Sequence, residues 1–332
     1  MIISRTPYRI SFFGGGTDYP VWYKEHGGAV LATTINKYSY ITCRYLPPFF
    51  EHKYRIVYSN TETIQNISEI QHPSVKATLN FMGNNRGVEI HHDGDLPART
   101  GLGSSSSFTV GLVHALYALN GKMVTKRQVS LDAIHIEQDL LKENVGAQDQ
   151  TCAAFGGFNK IEFGGDQLIQ VQPITLHQKK CHLLQDHLML FFTGFSRFAS
   201  EIASEQIKKT PDKQNELHKM QAMVDEAIGI LNGDDSDISD FGKLLHENWT
   251  IKRSLTDKIS TPQIDKIYND ALEAGALGGK LLGAGGGGFI LFFVEPKFQL
   301  AVKEKLKNLL YVPFKFENTG SQIIYYTSEN NY

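Results

Sequence analysis

Between Asp95 and Ser107 the chain reads DLPARTGLGSSSS, with two glycines flanking Leu102 and four consecutive serines after them. An apolar run follows at once (Phe108, Val110, Leu112, Val113, Leu116, Leu119), so a helix is expected over Gly103 to Leu119, buried on nearly every side. The first turn of a helix carries N–H groups without partners and a partial positive charge, which suits phosphate oxygens. Glycine lets backbone approach such an anion, while serine hydroxyls bond phosphate or reach a bound Mg2+. A lone GxGS would be only a capped turn; four serines ahead of an apolar helix favour phosphate. The segment is not a P-loop, because GxxxxGK[ST] occurs nowhere, and the protein-kinase set lacks its HRD.

Three other segments concentrate chemistry. In TPYRISFFGGGTDYP a strand delivers Arg9, and a glycine triplet then exposes Thr17 and Asp18 on a loop, where a carboxylate either bonds its own backbone or grips ligand hydroxyls. In NVGAQDQTCAAFGGFN, Asp149 sits between two glutamines in a small-residue segment. Glu137 lies on the helix before it, at the edge of the stripe Val129, Ala133, Ile136 and Leu140. If buried there, its carboxylate must be paired or bind metal; otherwise it is a solvated helix residue. In LGGKLLGAGGGGFILFF, Gly283 to Gly288 formally matches GxGxxG, but a helix precedes it and a strand comes after, the reverse of a dinucleotide fingerprint. A backbone closing over a substrate suits Gly285 and Gly286 better than nicotinamide binding.

The elements that must position these residues divide the chain. Strands are expected over Tyr8–Phe13, Val30–Ile35, Ser39–Arg44 and Tyr54–Tyr58. After the buried helix, Thr125 and Gln128 form a capping box for a second. Beyond Gly164-Gly165 come a strand at His187–Thr193, amphipathic helices from about Ser196 to Gly275, a strand at Phe289–Val294, a helix over Pro296–Leu309, and a strand pair, Val312–Phe316 with Gln322–Thr327. Two units are expected, 1–175 and 176–332. A net charge of −2 over 332 residues excludes a basic surface for nucleic acid or anionic membrane, leaving room for a local phosphate pocket. No span is long enough to cross a bilayer, Arg5 and Arg9 interrupt any signal core, and three scattered cysteines fit a reducing compartment; a cytoplasmic protein is expected. The 30 glycines, about seven above average usage, cluster at the loops just described.

Taken together, PYRISFFGGGTDYP, LPARTGLGSSSS and KLLGAGGGG resemble the three motifs of the GHMP small-molecule kinases, in order and across the whole length. The triple glycine, where galactokinases carry Gly-Glu-His, argues against galactose. With QDQ and AAFGGFN it resembles the branch that phosphorylates D-glycero-D-manno-heptose 7-phosphate at C1, to which fucose kinases are also similar. Arg99 departs from the glycine common in the family. The resemblance implies an α+β fold of two domains, a ribosomal-protein-like α/β domain and a ferredoxin-like one, with the active site between them. It implies ATP held by Gly101, Gly103, Ser104, Ser105 and Ser106, and Mg2+ held by Ser104 or Ser105 with Glu137. Asp149 would be the general base, Arg9 would support developing charge, and Gly16, Thr17, Asp18, Gly285 and Gly286 would face the sugar. An acceptor that already carries a phosphate needs cations, and Lys37, Arg44, Lys53 and Arg55 are equal candidates. The resemblance also implies a pathway toward nucleotide-activated heptose; a free-sugar kinase and a non-catalytic regulator of this fold are the alternatives.

Overall fold

The computed structural model describes residues 1–84, 86–98, 100–165, 169–194, 199–233 and 236–327. Arg99, and Ser196 at the expected start of the helical region, lie outside them. The β-branched and aromatic N-terminal segments build a long antiparallel pair, β1 (Ile2–Phe13) and β2 (Gly28–Tyr45). The two strands expected within β2 are one; Asn36 and Lys37 are the irregularity between them, opposite the Pro7–Tyr8 step. β3 (Tyr54–Val57), β4 (Thr61–Ile64) and β5 (Val88–Gly94) extend one end of the sheet, and β6 (Phe158–Phe163) and β7 (Ile169–Pro173) the other. Short α1 (Pro20–His26) comes after the glycine triplet. α2 (Pro73–Phe81) and α3 (Ser104–Leu119) pack on this sheet, and α4 (Lys126–Ile134) and α5 (Gln148–Phe155) pack on α3.

The second half forms a four-stranded antiparallel sheet. Its strands are β8 (Leu188–Phe192), β9 (Ala276–Leu281), β10 (Phe289–Val294) and β11 (Leu310–Tyr311), ordered β11-β8-β10-β9. Its helices are α6 (Gln178–Asp186), α7 (Ala199–Lys209), α8 (Gln214–Asn232), α9 (Ser239–Leu255), α10 (Pro262–Glu273) and α11 (Gln299–Lys305), the last shorter than expected. The final pair, β12 (Phe316–Glu317) and β13 (Gln322–Tyr326), does not stay there. β13 pairs with β1 and β12 with β2, so the C-terminal strands of the expected unit 176–332 complete the first sheet. Pairing across the whole chain leaves no local sequence signal.

The halves share apolar packing. Phe12 and Phe13 at the end of β1 meet Phe241 of α9 edge-on, with ring centroids 5.5 and 5.2 Å away. Leu102 and Leu282 join the same cluster, so the motif loops are seated on core.

α4 is also revised. Thr125 accepts from the Gln128 N–H (3.1 Å), but the Gln128 amide bonds Asp132, so the box is half formed. The α-turns then widen into a π-helix over His135–Leu140. Bonding from i to i+5 inserts a residue into the turn and rotates the residues beyond it. Leu140, expected on the apolar stripe, is exposed, and Glu137 is buried.

Candidate active site

Gly103 caps α3 in the left-handed conformation and supplies no side-chain acceptor. The N–H groups of Ser105 and Ser106 therefore keep the open positions of a helix start. The four serines point in four directions, because each helical residue turns about 100°. The Ser107 hydroxyl donates to the Pro7 carbonyl (2.9 Å), and Ser106 donates to Glu137 Oε2 (2.8 Å). Ser105 is exposed and Ser104 half-buried. The hydroxyl that bonds Glu137 directly is that of Ser106, while Ser104 and Ser105 are the hydroxyls that the resemblance implied for Mg2+.

Glu137 is wholly buried, and its Oε2 also accepts from the Gln150 amide, while Oε1 has no hydrogen-bond partner. Burial pushes its pKa up to about 7, and hydrogen bonds from Ser106 and Gln150 oppose the rise. A buried carboxylate with one oxygen unsatisfied, beside a hydroxyl at the phosphate-binding turn, is an oxygen donor set suited to Mg2+.

Arg9, on β1, reaches across to α5. Its Nε and Nη2 donate to Asp149 Oδ1 and Oδ2 (2.8 and 2.9 Å), a bidentate fork, and its Nη1 donates to the Gly101 carbonyl (2.7 Å). Arg9 is buried and the Asp149 side chain 26% exposed, so the carboxylate faces the opening. Gly103 stands against this pair: a Cβ there would lie 3.3 Å from Asp149 Oδ2. The general-base and charge-supporting candidates are therefore one hydrogen-bonded unit beside the turn that starts α3.

The glycine triplet is spent differently along its length. Thr17, expected to face substrate, is wholly buried. Its hydroxyl is shared between the carbonyls of Gly14 (2.8 Å) and Ala29 (3.0 Å) and accepts the Ala29 N–H (3.1 Å). It fixes the loop; sequence could not distinguish this from a ligand contact. Thr17→Val is expected to cost about 1–3 kcal/mol of stability, read by urea unfolding, with the KM for sugar unchanged in the folded fraction. Asp18 Oδ1 accepts from the Gly16 N–H (3.0 Å), and Gly16 packs beneath Gln206 of α7. Burial raises the Asp18 pKa, and the Asp149 charge adds to that rise.

The second glycine loop packs on the first. A Cβ at Gly101 would lie 2.3 Å from the Leu282 carbonyl oxygen, and one at Gly288 equally close to that of Thr100. Phe289 N–H donates to Thr100 (3.0 Å). Gly286 gives its N–H to Ile259 (2.9 Å), and Gly285 abuts the same residue. The loop expected to close over substrate also forms a backbone-to-backbone seam with the Thr100–Gly101 turn and with Ile259.

Of the four candidate phosphate cations, Arg44 and Arg55 instead ring Glu89 (2.5 and 3.3 Å), with His91 on the same carboxylate. Arg9 pairs with Thr34 on β2, and Arg44 lies ten residues further along that strand, roughly 30 Å at the usual rise. Lys53 precedes β3 at that same end. Sequence reading missed Lys252 and Lys280. Both are buried; Lys252 donates to the Gly283 carbonyl (2.5 Å) and Lys280 to that of Phe12 (2.8 Å). Asn248 and Lys252 recur at i, i+4 on the stripe of α9 that holds Leu244, Trp249 and Leu255, a polar interruption of core spacing that was available as a signal.

Residues 71–157 match the GHMP kinases N terminal domain and 226–311 the GHMP kinases C terminal domain, together more than half of the chain. The chain belongs to the GHMP kinase family. It is an α+β protein with the two-domain fold of that family and a phosphotransferase acting on an alcohol group. It is 29% identical to the D-glycero-alpha-D-manno-heptose 7-phosphate kinase of Campylobacter jejuni, over 96% of this chain and 97% of that one. It is 27% identical to the L-fucokinase/L-fucose-1-P guanylyltransferase of Bacteroides fragilis, over 91% of this chain and 35% of that longer protein. Among solved structures, a D-glycero-D-manno-heptose 1-phosphate kinase from Bacteriodes thetaiotaomicron superimposes with a TM-score of 0.81 and 26% identity, covering 99% of this chain and 100% of that one. The GHMP kinase is therefore a sugar kinase that uses ATP. No helix among the described residues is long and apolar enough to cross a membrane.

Proposed function

We propose that the enzyme transfers the γ-phosphoryl group of ATP to the anomeric C1 hydroxyl of D-glycero-D-manno-heptose 7-phosphate, giving the 1,7-bisphosphate. The observation that carries this reading is the Arg9–Asp149 fork anchored on the Gly101 carbonyl, which sets a carboxylate at the phosphate-binding turn. The name of the Campylobacter relative and the GGG and QDQ segments support the choice of sugar.

Phosphoryl transfer is chiefly positioning and charge neutralisation. The N–H groups of Ser104, Ser105 and Ser106 at the start of α3 bind phosphate oxygens. Asp18 accepts from sugar hydroxyls, and Asp149 accepts the C1 proton. Arg9 occupies two of the roughly four acceptor sites of the Asp149 carboxylate, leaving the outward ones for substrate. The same guanidinium supports charge that develops on the transferred group. Ser106 and Glu137 would hold Mg2+, which neutralises the ATP phosphates when bound.

An ADP-release screen of heptose 7-phosphate against the same heptose without phosphate, fucose and galactose tests the assignment. The heptose phosphate is expected to exceed every free sugar in kcat/KM by at least about 100-fold, or 2.7 kcal/mol. Turnover of free fucose with none of the heptose phosphate would overturn it.

A further inference from the structure

A fully buried ammonium is costly unless a negative charge compensates it. Among the described residues neither Lys252 nor Lys280 makes a salt bridge; each has one backbone carbonyl, from Gly283 and Phe12. The Phe12 carbonyl also receives the Asn248 amide (3.4 Å). Beside it Asn248 Oδ1 is buried with no hydrogen-bond partner among the described residues. The charges acting on the lysines are Arg9 from β1, Asp18 from the glycine triplet, Asp149 from α5, and Lys252 on Lys280. Three cations thus face two carboxylates, and Asp149 is already held by Arg9.

We propose that Lys252 and Lys280, with Asn248, form an anion-binding pole contributed by the second half of the chain, which receives a phosphoryl dianion at the acceptor site. The dianion has two sources: the phosphate that the acceptor brings, or the group leaving ATP. The first source rests on the heptose phosphate reading above; the second does not. Arg44, Arg55 and Lys53 lie at the far end of the first sheet, while Lys37 stands at the β2 irregularity three residues from Thr34; the pole adds to it the buried cations of the second half.

Burial lowers the pKa of Lys252 to about 8 and that of Lys280 well below the ordinary lysine range. An arriving dianion raises both, so binding takes up protons and weakens as pH rises through the unliganded values.

The test compares wild type, Lys280→Met and Lys252→Met, each with heptose 7-phosphate and with the unphosphorylated heptose. Calorimetric titration of heptose 7-phosphate, and separately of a non-hydrolysable ATP analogue, in buffers of different ionisation enthalpy measures proton uptake. In wild type, net proton uptake is expected with one of the two ligands. If the acceptor supplies the dianion, the Met variants raise the KM for heptose 7-phosphate at least tenfold, leave that for the free heptose within twofold, and lose the uptake. If ATP supplies it, kcat falls at least tenfold with both acceptors and the uptake seen with the analogue is lost. With Mg2+ omitted, so that Glu137 releases no proton, and at a pH above about 8, no proton uptake by wild type with either ligand would overturn the pole without any variant having to fold. So would folded Met variants with unchanged kinetics. If the wild-type enzyme turns over no phosphorylated sugar, the heptose reading fails, and the pole is then judged on the ATP arm.

Discussion

Asp149→Asn is expected to lower kcat about 1,000-fold, within the range for a lost general base, with ATP affinity changed less than twofold. The two effects separate because, in the proposed arrangement, Asp149 faces the acceptor while ATP lies on the turn at Gly101 to Ser106. Asparagine keeps one oxygen for Arg9, but its amide opposes the second guanidinium N–H, so half of the fork is lost. Arg9 retains the Gly101 carbonyl, 2.7 Å away, and the stability cost should stay near 1–3 kcal/mol. Turnover is measured well below the unfolding midpoint, and ATP binding by calorimetry. Near wild-type turnover by the folded variant would remove Asp149 as the base. An equal loss of ATP affinity would recast it as a structural partner of Arg9.

Glu137→Gln is expected to lower activity and, in the unliganded protein, to raise stability. The Glu137 carboxyl titrates at about 7 in the folded chain against an ordinary 4.5, so between those values the folded state holds more protons than the unfolded one. Stability therefore falls as pH rises from 4.5 to 7, by about 3 kcal/mol over the window. Glutamine removes that slope; urea midpoints at several pH values will show it flattened, with the variant more stable than wild type above pH 7. Mg2+ reverses the comparison. In wild type its binding should displace the Glu137 proton and tighten as pH rises through about 7, whereas the variant shows neither effect. A fall of about 100-fold or more in kcat is expected, set by lost charge neutralisation. Unchanged Mg2+ affinity in the folded variant would assign the metal elsewhere.

Much of the site was legible in residue order. Local composition alone places Gly101 and Gly103 before a buried helix, Asp149 in a small-residue segment and Arg9 on a strand running into a glycine triplet. Each rests on short-range rules: glycine permits close backbone approach, an apolar run buries its helix, and an unpaired helix start attracts phosphate.

Other assignments needed contacts between residues far apart in the chain. The four serines are chemically identical, and only the approach of the π-turn selects Ser106 as the partner of Glu137. Thr17 and Asp18 are neighbours of equal promise, yet Ala29 claims the first. Lys280 lies inside a motif noticed for its glycines, and Lys252 in a helix not singled out at all. Their meaning appears when β9 and α9 close on Phe12 and Gly283. Likewise β13 has no local reason to leave the second half, but its backbone finds an open edge on β1.

The sequence by itself determined which backbone can come close to a phosphate and which residue types stand near it, because glycine content and helix starts act over a few residues. The tertiary structure alone decided which hydroxyl meets Glu137, which of its oxygens is left without a partner, and which ammonium groups are buried without a salt bridge. That depends on burial, and burial is a property of the packed chain rather than of any segment.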